Sequence, residues 1–381
     1  MNLSRRQTLQ LGFGAFLGAG CTHASQFSGM AFSEPPEDFP IKGNLSLKQR
    51  AAAKGIIYGA AGNYGALTKD TEYAQVFAED CGILVPENEL KWAALRPSPD
   101  RFDFTSSDWL AQFAKQHGML FRGHTLVWNQ SNPEWLKDIT AQNAEQVLVK
   151  HIDTVVKHYA GRIHSWDVVN EAIAAEWSNR DDRLHFTTQW FKLLDKNYID
   201  IAFKAAGAAD PKAMLMYNEG YLTYDSPTDN KTRAAVLKLI EWLKSRNAPI
   251  HALGIQGHLD AADKRFNQKK FRDFLSEVAG MGLKIMITEL DASDRYLPAD
   301  LQERDRAVAQ AYEEFLSVAL DERAVIAVLT WGISDRYTWF TKYAPRPDNL
   351  PVRVLPYGTD MRRKLVWNAI ARSFDAAPKR G

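Results

Sequence analysis

The sequence predicts a single α/β domain, a (β/α)8 barrel of eight parallel strands surrounded by helices. Three observations lead to this prediction. Short apolar runs alternate with longer amphipathic stretches, and the alternation repeats eight times. Polar and aromatic residues follow directly after most of the apolar runs. No glycine-rich phosphate turn follows the first run, although an open doubly wound sheet usually carries one there.

Each predicted strand is a short run of apolar residues bounded by polar or turn-forming residues. In chain order the predicted strands are residues 55–60, 82–87, 120–127, 165–170, 214–218, 252–256, 284–289 and 325–331. The stretches after them have apolar residues at helical spacing. The predicted helices are residues 71–81, 108–117, 144–159, 189–206, 232–246, 268–281, 301–320 and 362–374. The open sheet remains the alternative, but Gly59-Ala60-Ala61-Gly62 matches a phosphate turn poorly.

Two of the predicted strands end abruptly in a glutamate, Glu171 in one and Glu289 in the other. In a barrel of parallel strands the catalytic residues lie at the carboxyl ends of the strands. A pair of carboxyl groups brought together from different strands is what cleavage of a glycosidic bond requires. Either glutamate alone can instead be a first-turn acid that stabilises the N-terminus of the following helix. The pair therefore indicates a glycosidase more strongly than either residue does.

Six predicted strand ends carry polar or aromatic side chains. A single histidine or tryptophan at such a position is more often a packed core residue than a catalytic one. Core packing alone does not explain why six strand ends of one barrel all carry such residues. The six sets lie in residues 87–92, 124–128, 170–171, 256–258, 289–291 and 331–339.

These strand ends together resemble glycoside hydrolase family 10, a barrel family of β-1,4-xylanases. They follow the family's order from residue 87 to residue 335. The matching stretches are Glu87-Asn88-Glu89-Leu90-Lys91-Trp92, Gly123-His124-Thr125-Leu126-Val127-Trp128, Trp166-Asp167-Val168-Val169-Asn170-Glu171-Ala172, Gly254-Ile255-Gln256-Gly257-His258-Leu259, Ile287-Thr288-Glu289-Leu290-Asp291 and Thr330-Trp331-Gly332-Ile333-Ser334-Asp335.

The resemblance implies a retaining double displacement, with Glu171 as general acid/base and Glu289 as nucleophile. Glu289 would attack the anomeric carbon while Glu171 protonates the leaving oxygen and later activates the incoming water. Asn170 would hold the 2-hydroxyl group of the sugar. We further expect His258 to hydrogen-bond the nucleophile and Asp291 to orient that imidazole.

The resemblance also implies a xylan or xylo-oligosaccharide substrate and two groups of sugar-binding residues. The group for the sugar one step beyond the cleavage site, on the non-reducing side, is Glu87, Asn88 and Lys91. The group around the sugar being cleaved is Lys91, His124, Trp128 and Gln256. Trp331 and Trp339 would form a wall that crowds a hydroxymethyl group at C5, so pentose chains are expected to be preferred over glucose chains.

Three places depart from the family's pattern. Ser131 stands where the family has a glutamine that contacts the distal sugar, and Gln130 is the residue that can replace it. Strand five ends in Asn218-Glu219-Gly220-Tyr221 in place of Asn-Asp-Tyr-Asn, so the aromatic platform on the leaving-group side depends on Tyr221. Residues 355–360 also differ from the usual sequence. None of these includes a predicted catalytic glutamate, so they bear on chain-length preference.

Two other functions stay open from the sequence. One is a retaining glycosidase of the same barrel clan that acts on another β-glycan. Lys91, Trp331 and Trp339 argue against it, because together they build a site for an unbranched C5. The other is a non-catalytic sugar-binding barrel, and the presence of both glutamates argues against that.

Composition narrows the range of partners. The chain has 381 residues with a formal net charge of +1, which gives no general electrostatic indication of binding to nucleic acid or an anionic membrane. Its 11 Trp and 13 Tyr suit a cleft with flat faces on which sugar rings stack. No metal-ligand spacing or phosphate loop is visible, so neither a metal nor a cofactor is expected. We expect a monomer.

Residues 1–25 are predicted to be an export signal. Twin arginines at positions 5 and 6 precede a moderately apolar run, as in bacterial twin-arginine signals, and the run is too short for a stable membrane anchor. Cleavage after Ala24 would release the protein into the periplasm or the extracellular medium. Lipidation at Cys21 is the alternative and would attach it to a membrane.

Residues 26–46 are predicted to be a linker, and residues 47–376 the catalytic barrel. After either processing route Cys81 is the only ordinary thiol left. No intrachain disulfide is then possible, so the core alone has to stabilise the fold.

Overall fold

The structure is a computed structural model that describes residues 38–174, 176 and 178–380. The predicted export signal, with Cys21, and the first part of the predicted linker lie outside the described residues. Within the part of the chain that is described, no helix is both long and apolar enough to cross a membrane.

Nine parallel strands are found among the described residues. They are β1 (Ile57–Gly62), β2 (Ile83–Pro86), β3 (Leu120–Val127), β4 (Ser165–Asn170), β5 (Met214–Glu219), β6 (Ala252–Ile255), β7 (His258–Asp260), β8 (Lys284–Ser293) and β9 (Val325–Thr330). Each strand from β1 to β6 pairs with the next, β6 pairs with β8, and β9 pairs with both β8 and β1. Eight strands therefore close into a barrel, which confirms the predicted fold class.

β7 is not one of the eight barrel strands and was not predicted. It pairs only with the last three residues of β8, with His258 opposite Asp291. β8 is ten residues long and extends past the ring, which provides the backbone for this extra pairing. The extension brings two predicted site residues next to each other above the barrel mouth.

Helices cover the outside of the barrel. The α-helices along the described chain are α1 (Leu47–Ala52), α2 (Tyr64–Lys69), α3 (Thr71–Asp80), α4 (Trp92–Leu95), α5 (Thr105–Gln116), α6 (Ala144–Tyr159), α7 (Gln189–Leu194), α8 (Asn197–Ala209), α9 (Pro227–Ser245), α10 (Gln268–Gly280), α11 (Leu301–Ala319), α12 (Phe340–Tyr343) and α13 (Leu365–Ala376). Two 3₁₀-helices lie at Glu134–Asp138 and Asp335–Tyr337.

Four predicted helices differ from the structure by three residues or more at one end, and α5, predicted over residues 108–117, begins at Thr105. The single helix predicted over residues 189–206 is wrong, because Asp195 takes a left-handed conformation (φ 51°) that separates α7 from α8. α9 begins earlier than predicted, since Ser226 caps it and Pro227 suits a first turn. α13 begins later, because Arg363 forms a β-bridge with Tyr357.

The barrel interior is filled by side chains, so a substrate has to bind at its rim. The buried apolar cluster inside it comprises Ala61, Ile83, Val85, Met216, Ala252, Met286, Ala327, Leu329 and Trp331. Among these lies a fully buried ion pair, in which Arg122 Nη1 donates to Asp167 Oδ2 at 2.8 Å. A second, larger apolar core lies between the strands and the outer helices.

The described end of the predicted linker contacts the barrel. The Arg50 guanidinium on α1 donates to the carbonyl oxygens of Lys42 (2.8 Å) and Gly43 (3.1 Å). Asp38 pairs with Arg306 on α11 at 2.7 Å. These contacts hold this part of the predicted linker against α1 and α11.

Candidate active site

The structure places the predicted site residues at or just beyond the carboxyl ends of barrel strands, except Trp339, which lies farther along the loop after β9. Glu87, Asn88 and Lys91 follow β2, and Trp128 follows β3, which contains His124. Asn170 ends β4, and Glu171 follows it. Gln256 follows β6, and His258 begins β7. Glu289 and Asp291 belong to β8, and Trp331 and Trp339 follow β9.

Glu171 is half-buried and is held at both carboxylate oxygens. Trp128 Nε1 donates to Oε2 at 2.8 Å, and Gln256 Nε2 donates to Oε1 at 2.9 Å. The residue has a φ of 54°, in the left-handed region that residues with a Cβ rarely occupy. This turn ends β4 abruptly, so the Glu171 side chain lies in the mouth of the barrel rather than in the sheet.

Glu289 is 6 % exposed and lies opposite donors from two other strands. Asn218 Nδ2 on β5 donates to its Oε1 at 2.7 Å, and His258 Nε2 is 3.4 Å from its Oε2. Burial by itself would raise the pKa of Glu289, but the hydrogen bond and charge of His258, the charge of His124 and the hydrogen bond from Asn218 together lower it to about 2. Glu289 is therefore a carboxylate at neutral pH.

The His258 imidazole is oriented by Asp291. Its Nδ1 is 2.8 Å from Asp291 Oδ1, and Trp339 Nε1 donates to Asp291 Oδ2 at 2.9 Å. Burial would lower the pKa of His258, but the negative charge of Asp291 raises it well above its ordinary value. The imidazole thus carries a proton on the nitrogen that faces Glu289, and the Trp339 ring is anchored to the same carboxylate.

Three side-chain amides connect the two glutamates. Gln256 Nε2, which contacts Glu171, is also 3.4 Å from Asn170 Oδ1. Asn218 Nδ2, which contacts Glu289, donates to the same Asn170 oxygen at 2.8 Å. The geometry of either carboxylate is therefore coupled to that of the other through a continuous hydrogen-bonded chain.

Sequence reasoning missed Asn218 as a site residue. The side-chain oxygen of Asn218, Oδ1, is oriented by the Thr288 hydroxyl, which donates to it at 2.7 Å. A Cβ at Gly254 would lie 2.2 Å from that oxygen, so glycine at this position leaves room for the Asn218 side chain. The available signal was the polar residue at the predicted end of strand five, but its role depends on which neighbours it meets.

Gly220, one of the departures from the family's pattern, also leaves room for a neighbouring side-chain amide, as Gly254 does. A Cβ at Gly220 would lie 2.5 Å from Gln256 Oε1, so a larger residue on this backbone would displace the amide that holds Glu171. Tyr221 follows with its side chain 69 % exposed. In this loop the glycine thus leaves space for the Gln256 amide, and the aromatic side chain stands at the next position, exposed to solvent.

Lys91 lies between the predicted sugar-binding groups. Its ammonium group is 4.9 Å from the centroid of the Trp128 ring and donates to Asn88 Oδ1 at 3.3 Å. Burial lowers its pKa, and the charges of Glu289 and Glu87 oppose that shift. A cation held among acceptors in this way can donate to sugar hydroxyl groups.

Glu87 is oriented by a residue that the sequence analysis did not identify. Asn63 Nδ2, just after β1, donates to Glu87 Oε2 at 3.2 Å, while Asn63 Oδ1 caps α2. Burial raises the pKa of Glu87. The hydrogen bond with which Asn63 caps α2 therefore fixes the orientation of its amide, and the amide in turn orients the Glu87 carboxylate.

His124 is supported by the buried ion pair inside the barrel. Its Nδ1 is 2.8 Å from Asp167 Oδ2, the oxygen that also accepts from Arg122. The His124 ring meets the Trp331 ring edge to face, with centroids 5.3 Å apart. Sequence reasoning found His124 but not its support, although two charged residues within predicted strands were a signal.

We expect the pH at which kcat/KM falls on the acid side of its profile to depend on His258. In His258→Ala, burial of Glu289 is no longer opposed by the imidazolium, so the pKa of Glu289 rises from about 2. Because the nucleophile that the sequence predicts here has to be ionised, we expect activity to be lost at a higher pH as the solution is acidified. The measurement is kcat/KM against pH, which reports ionisations of the free enzyme.

The matched variant for this prediction is Asp291→Asn, which keeps the imidazole but removes the charge that sustains its protonation. Its acid limb should shift in the same direction by less. An acid limb that stays in place in His258→Ala would contradict the role of the imidazole.

Comparisons with known proteins identify the family of this chain. The model for glycosyl hydrolase family 10 matches residues 46–373. The β-1,4-xylanase of Dictyoglomus thermophilum is 34 % identical over 278 residues, 70 % of this chain and 75 % of that protein. Endo-1,4-β-xylanase B of Thermotoga neapolitana is 32 % identical over 286 residues, 74 % of this chain and 79 % of that protein.

A solved structure with the same fold is xylanase 10B from Thermotoga petrophila in complex with xylobiose. It is 30 % identical, with a TM-score of 0.79, and the match covers 88 % of this chain and 99 % of that one. Native xylanase 10B from Thermotoga maritima is 31 % identical, with a TM-score of 0.78. With the barrel, the paired glutamates and the family match in agreement, this chain belongs to glycosyl hydrolase family 10 and is a glycoside hydrolase.

Proposed function

We propose that the protein is an endo-β-1,4-xylanase that hydrolyses internal bonds of xylan with retention of anomeric configuration. The observation that carries the proposal is the hydrogen-bonded chain of amides between Glu171 and Glu289, which holds two carboxyl groups in different environments at one barrel mouth. The names of the relatives, which are xylanases, and the xylobiose in the Thermotoga petrophila structure support the choice of substrate.

In the first step Glu289 is the nucleophile. Its ionised oxygen forms a bond to the anomeric carbon as the bond from that carbon to the glycosidic oxygen breaks. Glu171, in its protonated form, gives its proton to the departing oxygen, so the leaving chain departs as an alcohol. The low pKa of Glu289, about 2, keeps the nucleophile ionised for this step.

In the second step a water molecule replaces the leaving chain. Glu171 removes a proton from the water as its oxygen attacks the anomeric carbon, and the bond to Glu289 breaks. The carboxylate is regenerated on Glu289 and the proton on Glu171. Two displacements at the same carbon give a product with the anomeric configuration of the substrate.

Asn170 is in place to hold the 2-hydroxyl group through its amide nitrogen. Its Oδ1 already accepts from Asn218 at 2.8 Å and lies 3.4 Å from Gln256 Nε2. The Nδ2 donors are therefore the groups left to bind sugar. A bond to the 2-hydroxyl strengthens as positive charge develops on the ring in the transition state.

The substrate class follows from the wall of the site. Trp339 is anchored through Asp291, and Trp331 packs against His124, so neither ring is free to move aside. Lys91, 5.8 Å from the Trp331 ring centroid, closes the same side. We propose that this wall leaves room for the unbranched C5 of xylose and disfavours a hydroxymethyl group, as the family resemblance implies.

The test is to incubate the protein with unbranched xylan and, separately, with carboxymethyl-cellulose while following the products by proton NMR. We expect xylo-oligosaccharides that appear first as the β-anomer, with little reaction on the cellulose derivative. Products that appear first as the α-anomer would exclude the double displacement. No reaction on xylan would exclude the substrate, and faster cleavage of the cellulose derivative would favour a glucan.

We also propose that the chain is exported by its twin-arginine segment, as the sequence predicts. Cell fractionation will distinguish the two processing routes. If Cys21 is lipidated, Cys21→Ala should move the protein from the membrane fraction to the soluble periplasmic or extracellular fraction, and unchanged partitioning would exclude the anchor.

A further inference from the structure

We propose that Glu219, a buried carboxyl group outside the predicted site, is a positioning residue for Glu171. Glu219 ends β5 and is 2 % exposed. The inference rests on the proposed function, in that it takes Glu171 to be the acid/base. It assigns a role to the second residue of the segment 218–221, which departs from the family's pattern.

The geometry of β5 carries the proposal. The chain segment that begins with Glu171 directs three consecutive backbone N–H groups at three consecutive residues of β5. The bonds run from the amide of Glu171 to the carbonyl oxygen of Asn218 at 3.0 Å, from that of Ala172 to the hydroxyl of Tyr217 at 3.2 Å, and from that of Ile173 to Oε2 of Glu219 at 3.1 Å.

Glu219 organises two of these three bonds. Its Oε2 also accepts from the Tyr217 hydroxyl, which places that hydroxyl to receive the Ala172 amide. Its other oxygen accepts from the Gly220 amide at 3.0 Å. One carboxyl group therefore connects the end of β5 to the backbone on the far side of Glu171.

The held segment needs such support because of the conformation of Glu171. Its φ of 54° is disfavoured for a residue with a Cβ, and a conformation of this kind persists only where surrounding contacts impose it. Removing the bonds at Ala172 and Ile173 lets the turn relax. The Glu171 carboxyl would then leave the position at which it meets the leaving oxygen, and proton transfer depends on that distance.

The charge state of Glu219 makes the test simple to interpret. Burial raises the pKa of Glu219 to about 8, and Glu171 adds to the shift while the bond from Tyr217 opposes it. Glu171 also interacts electrostatically with Lys91, His185 and Tyr221, and Glu289 lies at the same barrel mouth. At about pH 6 Glu219 is mostly neutral, so its substitution removes hydrogen bonds rather than a charge.

The experiment compares two aryl β-xylobiosides at about pH 6, where Glu219 is mostly uncharged. A phenyl leaving group needs the proton from Glu171, whereas a dinitrophenyl leaving group departs without it. In Glu219→Ala we expect kcat/KM for the phenyl substrate to fall about 10- to 100-fold, because a displacement of the order of an ångström has effects of that size. For the dinitrophenyl substrate we expect a change of less than about threefold.

Three further variants complete the test. Glu219→Gln keeps an acceptor oxygen and should restore most of the phenyl activity. Tyr217→Phe, a smaller change in volume, removes the acceptor for Ala172 and should show the same selective loss. Asp80→Asn is the matched control: it alters another buried carboxyl group, which accepts from the amide of Leu47 at 2.8 Å, and should lower the melting temperature without changing the ratio of the two substrates.

Equal losses on both substrates in Glu219→Ala and Tyr217→Phe, or no loss in either, would overturn the positioning role. The same ratio change in Asp80→Asn would also overturn it, since general destabilisation would then explain the result. If the wild-type protein cleaves neither xylobioside, the proposed function fails and the inference fails with it. A wild-type protein that cleaves both separates the two questions.

Discussion

Glu289→Ala will abolish turnover while the barrel stays folded. The alanine has no oxygen to form a bond to the anomeric carbon, so the first displacement has no route. We expect kcat/KM on xylan to fall by at least about 10⁴-fold, as is found when a nucleophile of a catalytic unit is removed. The measurement is the initial rate of reducing-sugar release, together with a thermal unfolding curve.

The fold should survive because Glu289 is held by the site and does not itself support the core. Its side-chain contacts are to Asn218 and His258, at the rim of the barrel. His258 keeps its pairing with Asp291 when the glutamate is gone. The matched control is Glu277→Ala, an exposed glutamate on α10, which should behave as the wild type. Activity of Glu289→Ala within about tenfold of the wild type would exclude it as the nucleophile.

Glu171→Ala will lose most activity on xylan but recover rate on an activated aryl xyloside when azide is added. Without the carboxyl group there is no proton for a poor leaving group, a loss of about 10²- to 10⁴-fold for acid–base catalysis. An activated leaving group still departs, so the covalent glycosyl intermediate on Glu289 still forms. Because no general base is left to activate water, this intermediate reacts fastest with a nucleophile that needs no deprotonation. Azide is such a nucleophile, and the expected product is the β-azide.

The two alanine variants provide controls for each other. In Glu289→Ala, azide can attack only the intact substrate, so any product should be the α-azide. In Glu171→Ala, an α-azide product or the absence of rescue would contradict the assigned role. The product configuration, read by proton NMR, thus identifies which glutamate forms the covalent bond, independently of how far either variant loses rate.

The barrel could be predicted from the sequence because its signal is local. Each strand is a run of neighbouring apolar residues, and each helix has apolar residues at its own spacing. β7 escaped prediction, since three residues carry no periodic pattern and the pairing of His258 with Asp291 depends on the overhang of β8. The break at Asp195 escaped because nothing in the sequence marks a non-glycine residue as left-handed.

The sequence indicated some residues of the candidate site but not the contacts that support them. The sequence indicated the two glutamates and the ring-bearing residues, because strand ends bearing polar residues converge in any barrel of parallel strands. It did not indicate Asn218, whose side chain contacts Asn170 and Glu289. These two residues are separated from Asn218 by 48 and 71 positions in the chain. It did not indicate the Arg122–Asp167 pair beneath His124 either.

By itself the sequence determined the fold class, the family resemblance and the residue types available at each strand end, since these depend on short-range patterns. Only the tertiary structure decided which of those residues touch. The register between strands sets whether Asn218 meets Glu289, and the turn after β4 sets whether Glu219 reaches the Ile173 amide. The physical reason is that hydrogen bonds act over about 3 Å, and contacts on that scale between residues distant in the chain depend on the twist, stagger and closure of the whole barrel.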